Sequence, residues 1–253
     1  NGGGTWTVDA ADIDGLTITP PTDYSGTLNL FATATASDGT DSATTSDAFS
    51  VTVTPVADAP TFATADASGL EDTAIALDID AALTDGSEVL SVTLGNIPSG
   101  SVLNAGTINP DGTVTLTPAE LTGLTITPPA DFNGSFDLDV VATSTDGTDT
   151  ATTTDSLTVD VTPVADAPVL TVTNVSGAED SAIALDVTAT SPDTVSVTFA
   201  GVPEGAVLSA GTDNGDGTWT VDAADIDGLT LTPPTDFSGS FDLDVVATST
   251  DGT

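Results

Sequence analysis

The chain repeats itself, and the period limits what it can fold into. Residues 54–60 read Thr-Pro-Val-Ala-Asp-Ala-Pro, and the same seven residues return unchanged at 162–168, about 108 residues later. Residues 69–79 (GLEDTAIALDI) return at the same offset as residues 177–187 (GAEDSAIALDV). A Gly-Leu-Thr-(Ile/Leu)-Thr-Pro-Pro segment begins at Gly15, Gly123 and Gly228, each copy followed by an Asp and an aromatic: Asp23-Tyr24, Asp131-Phe132 and Asp236-Phe237. Asp-Gly-Thr recurs at Asp38, Asp146 and Asp251. Self-similarity at a fixed period makes each copy one structural unit. The matches predict three parts: residues 1–57 as the second half of a repeat, 58–165 as a complete repeat, and 166–253 as a repeat lacking its last strand. The overlap of the first and last parts predicts a window on a longer array, or neighbouring copies that complete these modules in a fibre.

Within the complete copy, apolar residues alternate with polar ones. Ile75, Leu77 and Ile79 fall on one face; Val92 and Leu94 alternate with Ser91 and Thr93; Val114 and Leu116 with Thr113, Thr115 and Thr117. Leu124 and Ile126, then Phe136, Leu138 and Val140, then Leu157, Val159 and Val161 continue the pattern. Period-two alternation is the signature of half-buried strands. Turn signals separate the runs at Asp85-Gly86, Ser99-Gly100, Asp111-Gly112, Pro128-Pro129, Asn133-Gly134 and Asp146-Gly147. With a short first strand at 61–64, about seven strands result, and no long segment has helical period. The expected fold is all-β, a tandem series of immunoglobulin-like sandwiches of about 105–108 residues each. The strands at Ile75 and Leu138 should share one core.

Composition narrows function by exclusion. The chain has 39 acidic residues and no Lys, Arg, His or Cys. Phosphate contacts rely on basic side chains, so no nucleic acid is expected as partner, nor an anionic membrane surface. Cys-ligated metals, disulfides and imidazole bases are impossible. No apolar run is long enough to span a bilayer, so no direct membrane insertion is expected.

What remains is oxygen chemistry. Calcium takes six to eight oxygen ligands, mainly carboxylates and carbonyls. The complete repeat holds 17 acidic residues and no cation of its own. Two carboxylates about 4 Å apart repel by about 1 kcal/mol in water and by more when partly buried. Clusters of them call for a cation.

The Val-Ala-Asp-Ala-Pro linker, Gly-x-Glu-Asp-x-Ala-Ile-Ala-Leu, Asp-Gly-Ser-Glu at 85–88, Gly-Thr-Trp-Thr at 217–220 and Gly-Leu-Thr-Ile-Thr-Pro-Pro together resemble the cadherin-like tandem repeats of giant bacterial surface adhesins exported by type I secretion. The resemblance covers the whole chain. It implies an extracellular, cell-surface stalk serving adhesion or biofilm, with junctions stiffened by calcium. It also implies ligand pairs: Asp58 with Glu71 at the first junction and Asp166 with Glu179 at the second, with Asp72 and Asp180 adjacent.

A second candidate site is Asp85 with Glu88; the third repeat departs there, keeping only Asp193. Asp137 and Asp139, matched by Asp242 and Asp244, read as a solvated strand face, since the first part has Asn29 and Phe31 instead. The segment at Asn214, with its copy at Asn1, reads as a turn.

Paired carboxylates can serve glycoside hydrolysis. Here the best pairs recur in register with the repeat, which predicts structural use rather than an enzyme. Three non-catalytic readings stay open: a passive spacer in an adhesin stalk, a filament or matrix fibre built from such modules, and a glycan-binding array. Partners would then be neighbouring repeats, copies in a fibre, surface glycans, or host or biofilm matrix. Trp6 and Trp219 occupy matching positions, which favours a structural role over sugar stacking.

Overall fold

The alternation seen in the sequence becomes strands throughout the computed structural model, which describes residues 4–252. The chain is all-β; the helical elements among the described residues are single 3-10 turns of three or four residues. No helix among them is long and apolar enough to cross a membrane.

The complete repeat is a two-layer sandwich. One layer is a six-stranded sheet in the spatial order Ala67–Leu70, Asp149–Thr162, Gly134–Asp146, Val89–Gly95, Val114–Leu116, Thr107–Ile108. The other combines Ile75–Ala76, Thr125–Thr127 and Val102–Leu103 with the pair Thr61–Ala65 and Asp78–Ala82. Ile75, Leu77, Ile79, Leu124 and Ile126 from one layer pack in a single cluster with Val92, Leu94, Leu138, Val140 and Leu157 from the other. Ile75 and Leu138 therefore share a core, as the alternation requires. Removing such side chains from water supplies most of the favourable free energy, about 1.5–3 kcal/mol for each large one.

Two features of this sandwich have no trace in the period-two pattern. The first strand changes layers: Thr61–Ala65 pairs with Asp78–Ala82, whereas Ala67–Leu70 runs parallel to Asp149–Thr162 in the opposite sheet. Asp66, between them, accepts the Thr158 N–H at 2.9 Å. Gly69 in this segment lies against Ile75, whose Cγ1 would be 2.6 Å from any added Cβ, so only glycine permits the approach. The second feature is the turn Pro118–Leu121, closed by a capping box in which Glu120 accepts both the N–H and the hydroxyl of Thr117 at 2.8 Å.

The third unit repeats the plan with sheets Val169–Thr173/Asp186–Thr190, Ile183–Ala184/Thr230–Thr232/Val207–Leu208, and Thr212–Asp213/Thr218–Asp222/Thr194–Ala200/Asp244–Thr250. Phe199, Val197, Val221, Leu229 and Leu231 fill its core. Among the described residues, Asp244–Thr250 pairs only with Thr194–Ala200. Residues 175–178, the counterpart of Ala67–Leu70, form no strand. The parallel partner that organises Ala67–Leu70 is Asp149–Thr162, the last strand of its sandwich.

The first part contributes one long hairpin, Gly26–Asp38 with Asp41–Val53, paired from Gly26↔Val53 to Asp38↔Asp41. Its Phe31 and Phe49 are exposed.

Candidate metal-binding junctions

Each linker aspartate is held by its backbone before its carboxylate does anything. The Asp166 N–H donates to Asp193 Oδ2 at 2.6 Å, and its carbonyl accepts the hydroxyl of Ser249. At the preceding linker the Asp58 N–H donates to Glu88 Oε1 at 2.6 Å, and its carbonyl accepts the hydroxyl of Ser144. The Ala57 N–H adds a 3.0 Å bond to Asp149 Oδ2. In both cases the acceptor on the N–H belongs to the loop before the third strand of the following sandwich, and the serine sits just before its Asp-Gly-Thr turn. Charge-assisted bonds of this kind are short and directional.

The preceding sandwich closes on the linker from the other side. Glu71, only 3% exposed, accepts the Val164 N–H at 2.7 Å through Oε1. The next residue, Asp72, accepts the Asp131 N–H at 3.2 Å through Oδ1. Asp72 and Asp131 both have left-handed backbones, with φ of 54° and 55°. Aspartate visits that region at little cost, which suits it to tight turns that aim a carboxylate outward. One carboxylate oxygen from each of Asp72, Asp131 and Asp166 lies within 4.8 Å of the others.

The electrostatics are those of a carboxylate cluster in a chain with no basic side chain. Burial, then Asp193, Asp131 and Asp72 in that order, push the Asp166 carboxyl above its ordinary value. The Val164 N–H draws Glu71 down, but burial and then the neighbouring Asp251 and Asp72 carboxylates carry it above the usual range. Asp251 also accepts Asn133 Nδ2 at 2.8 Å through Oδ1, while its Oδ2 is sealed from solvent with no hydrogen-bond partner.

The first junction carries the corresponding residues. Asp23, the counterpart of Asp131, has its carboxyl pushed up by burial, then by Asp85 and Asp58. Asp23 and Asp58 line one groove with Pro20, Pro21, Tyr24 and Asp146. Glu88 is 6% exposed, and its Oε2 is buried without a partner. An unsatisfied buried carboxylate oxygen is costly, and a cation relieves it. The donor sets are all oxygen and strongly anionic, which matches a hard divalent ion such as calcium. Asp72, Asp131 and Asp166, with Glu71, Asp193 and Asp251 behind them, are the residues that would hold it at the second junction; at the first, Asp23, Asp58 and Glu88 correspond to Asp131, Asp166 and Asp193, with Asp85 and Asp146 beside them.

This geometry corrects the pairing that the resemblance implied. Asp58 and Glu71 sit at opposite ends of one sandwich. Ala57 bonds to Asp149 at the start of Asp149–Thr162, whereas the Glu71 N–H donates to Thr162 at its end. Fourteen residues at about 3.3 Å each separate the two ends by roughly 40 Å. Glu71 and Asp72 meet Asp166 instead. Glu179 and Asp180 are likewise at the far end of the third unit from Asp166. Asp180 Oδ1 accepts the Asp236 N–H at 2.9 Å, as Asp72 does from Asp131, while Asp166 is held by Asp193 and Ser249. The course of the chain is the reason: in the complete repeat Thr61–Ala65 and then Ala67–Leu70 carry Gly-x-Glu-Asp from one end of the sandwich to the other before the chain turns back.

Asp85 and Glu88 do share the first junction with Asp58. Asp85 also accepts the N–H and hydroxyl of Ser87, which hold its carboxyl below the ordinary value. Asp137 accepts the Thr158 hydroxyl at 2.7 Å on the strand face, and Asp139 is exposed beside it. The segment at Asn214 is a turn, its amide donating to the Thr218 and Thr220 hydroxyls; the copy at Asn1 lies outside the described residues. Sequence reasoning missed Asp23, Asp131, Asp193, Asp251 and Asn133. The signal for the first two was present, since an Asp-aromatic pair follows every Pro-Pro.

No family model matches the chain, and no curated protein does. Solved structures that it resembles include an endo-fucoidan hydrolase of glycoside hydrolase family 107, at 18% identity and a TM-score of 0.28, over 91% of this chain and 33% of that one. The titin domains Z1Z2 in complex with telethonin match at 16% identity and a TM-score of 0.27, over 76% of this chain and 95% of that one. The zebrafish RET cadherin-like domains 1 to 4 match at 11% identity and a TM-score of 0.22, over 64% of this chain and 40% of that one. This chain thus spans about a third of the hydrolase and less than half of the RET segment.

Proposed function

We propose that the chain is a stretch of extracellular stalk from a bacterial surface adhesin, non-catalytic, in which each junction between sandwiches binds calcium. The observation that carries this reading is the convergence of Asp72, Asp131 and Asp166 from two loops of one sandwich and the linker to the next. Three carboxylates from separate segments are brought together where two modules meet, in a chain with no positive side chain to balance them.

The residues divide the work. Glu71, Asp193 and Ser249 position the linker backbone, which sets where the Asp166 carboxylate stands. Asp72 and Asp131 face it from the preceding sandwich. Calcium supplies the missing positive charge when bound. Without it, like charges on facing module ends repel; with it, both ends and the linker are tied to one point. A long series of modules then behaves as a stiff rod that carries a distal binding domain away from the cell surface.

The test is small-angle scattering and thermal melting with calcium and with chelator at fixed ionic strength. Calcium at about one hundred times its dissociation constant should stabilise the folded chain by ~2.7 kcal/mol. Maximum dimension should become larger and better defined. Replacing Asp131 and Asp166 together by Ala should remove the response of the second junction while leaving each sandwich folded. Identical dimensions and melting temperatures in calcium and chelator would sink the reading.

A further inference from the structure

We infer that the linker prolines Pro55 and Pro163 dock against the turn glycines Gly147 and Gly252 of the following module, and that this contact sets the angle between successive modules without any cation. The inference extends the stalk reading to the metal-free state.

The same Asp-Gly-Thr turn occurs three times, with its glycine in the same left-handed conformation: φ is 63° at Gly39, 59° at Gly147 and 68° at Gly252. Their surroundings differ. A Cβ on Gly39 would meet nothing within 4 Å. On Gly147 it would lie 2.9 Å from Pro55 Cγ, and on Gly252 3.0 Å from Pro163 Cγ. Backbone conformation alone accounts for glycine at all three positions. It does not account for a proline ring seated on the two turns that face a linker.

Each proline lies three residues before the linker aspartate. The ring fixes φ, so the chain leaves the contact in a set direction. Three residues on, Asp58 or Asp166 is gripped by its N–H and its carbonyl, in each case by the module that owns the docked glycine. Contact and grip are two points of attachment on one rigid turn and its neighbouring loop. Two points fix a direction that one would leave free. At the second junction the Val164 N–H bond to Glu71 adds a third point, on the preceding module. The geometry assigns Gly147 and Gly252 a positioning role beyond turn formation. A methyl group there must retreat by about 0.5–1 Å to reach ordinary contact distance, and the far end of the module magnifies the tilt.

The chain has no cysteine, so pairs of introduced cysteines can carry spin labels for distance measurement without background. Thr45→Cys with Thr154→Cys spans the first junction, and Thr154→Cys with Thr188→Cys spans the second. The glycine variants are compared with the parent chain in chelator. Gly147→Ala should broaden and shift the first distribution and leave the second unchanged; Gly252→Ala should do the reverse. Gly39→Ala, with the same backbone strain and no neighbour, should change neither. Gly147→Asn and Gly252→Asn tolerate the left-handed backbone yet keep a Cβ, so they should reproduce the alanine effect even if alanine unfolds the turn. Unchanged distributions in the asparagine variants would overturn the inference. Failure of the calcium reading registers separately, as identical distributions for the parent chain with and without calcium.

Discussion

Glu71 Oε1 accepts the backbone N–H of Val164 at 2.7 Å across 93 residues of sequence, so the carboxylate that opens a sandwich also anchors the linker leaving it. The end of the first strand and the linker that leaves the unit are thereby pinned at one face. That face is where Asp72, Asp131 and Asp166 meet.

Glu71→Ala leaves the Val164 N–H without its charged partner in a part-buried site and should cost about 1–2 kcal/mol. Glu71→Gln keeps an acceptor and removes one negative charge beside Asp251 and Asp72. In chelator the glutamine variant should therefore be at least as stable as the parent. Urea unfolding of both variants in chelator checks the pair; equal losses would mean the charge itself is needed.

Ser144 is fully buried and donates its hydroxyl to the Asp58 carbonyl. Ser144→Ala should destabilise by about 1 kcal/mol, because it removes the hydroxyl donor from the Asp58 carbonyl. The effect should reach the linker: hydrogen exchange of the Asp58 amide, which donates to Glu88, should accelerate in the variant. Protection identical to the parent would separate the two bonds.

Site-specific binding is distinguishable from general charge screening. Asp131→Asn and Asp139→Asn each remove one negative charge, but only Asp131 belongs to the junction cluster; Asp139 stands exposed on a strand. Calorimetric titration should show calcium affinity falling about tenfold or more for Asp131→Asn, which is ~1.4 kcal/mol, and staying unchanged for Asp139→Asn. Equal losses would indicate diffuse attraction by an acidic surface.

Asp111 and Asp216 occupy the same turn in two repeats and accept the hydroxyl and N–H of Thr113 and Thr218. Those bonds, the hydroxyl first, hold both carboxyls below the ordinary aspartate range. A depressed folded pKa contributes stability that is present above the unfolded value and is lost as pH falls through the folded one. The turns should thus hold at pH 5 and loosen only under stronger acid, below about pH 4. Carboxylate carbon shifts followed by NMR should give midpoints for both residues below those of their Asn variants' remaining exposed aspartates.

Much of the sandwich follows from local chemistry. Alternation at residues such as Val92 and Leu94, or Leu157 and Val159, fixes which face of each strand must leave water, and the turn residues fix where each strand stops. Those properties belong to neighbouring residues, so the sequence by itself determined an all-β unit, its period and its core-facing positions. The cluster at the junction is different. Asp72 and Asp131 sit in short turns and Asp166 in a linker, and nothing local says which of them meet. Only the tertiary structure decided that Glu71 and Asp72 stand at the opposite end of their sandwich from Asp58. The deciding element is Ala67–Leu70, which lacks alternation and becomes a strand through parallel pairing with Asp149–Thr162. A partner nearly one hundred residues away selects that conformation, since backbone hydrogen bonds between distant segments are specified by packing of the whole unit and not by the preference of four residues.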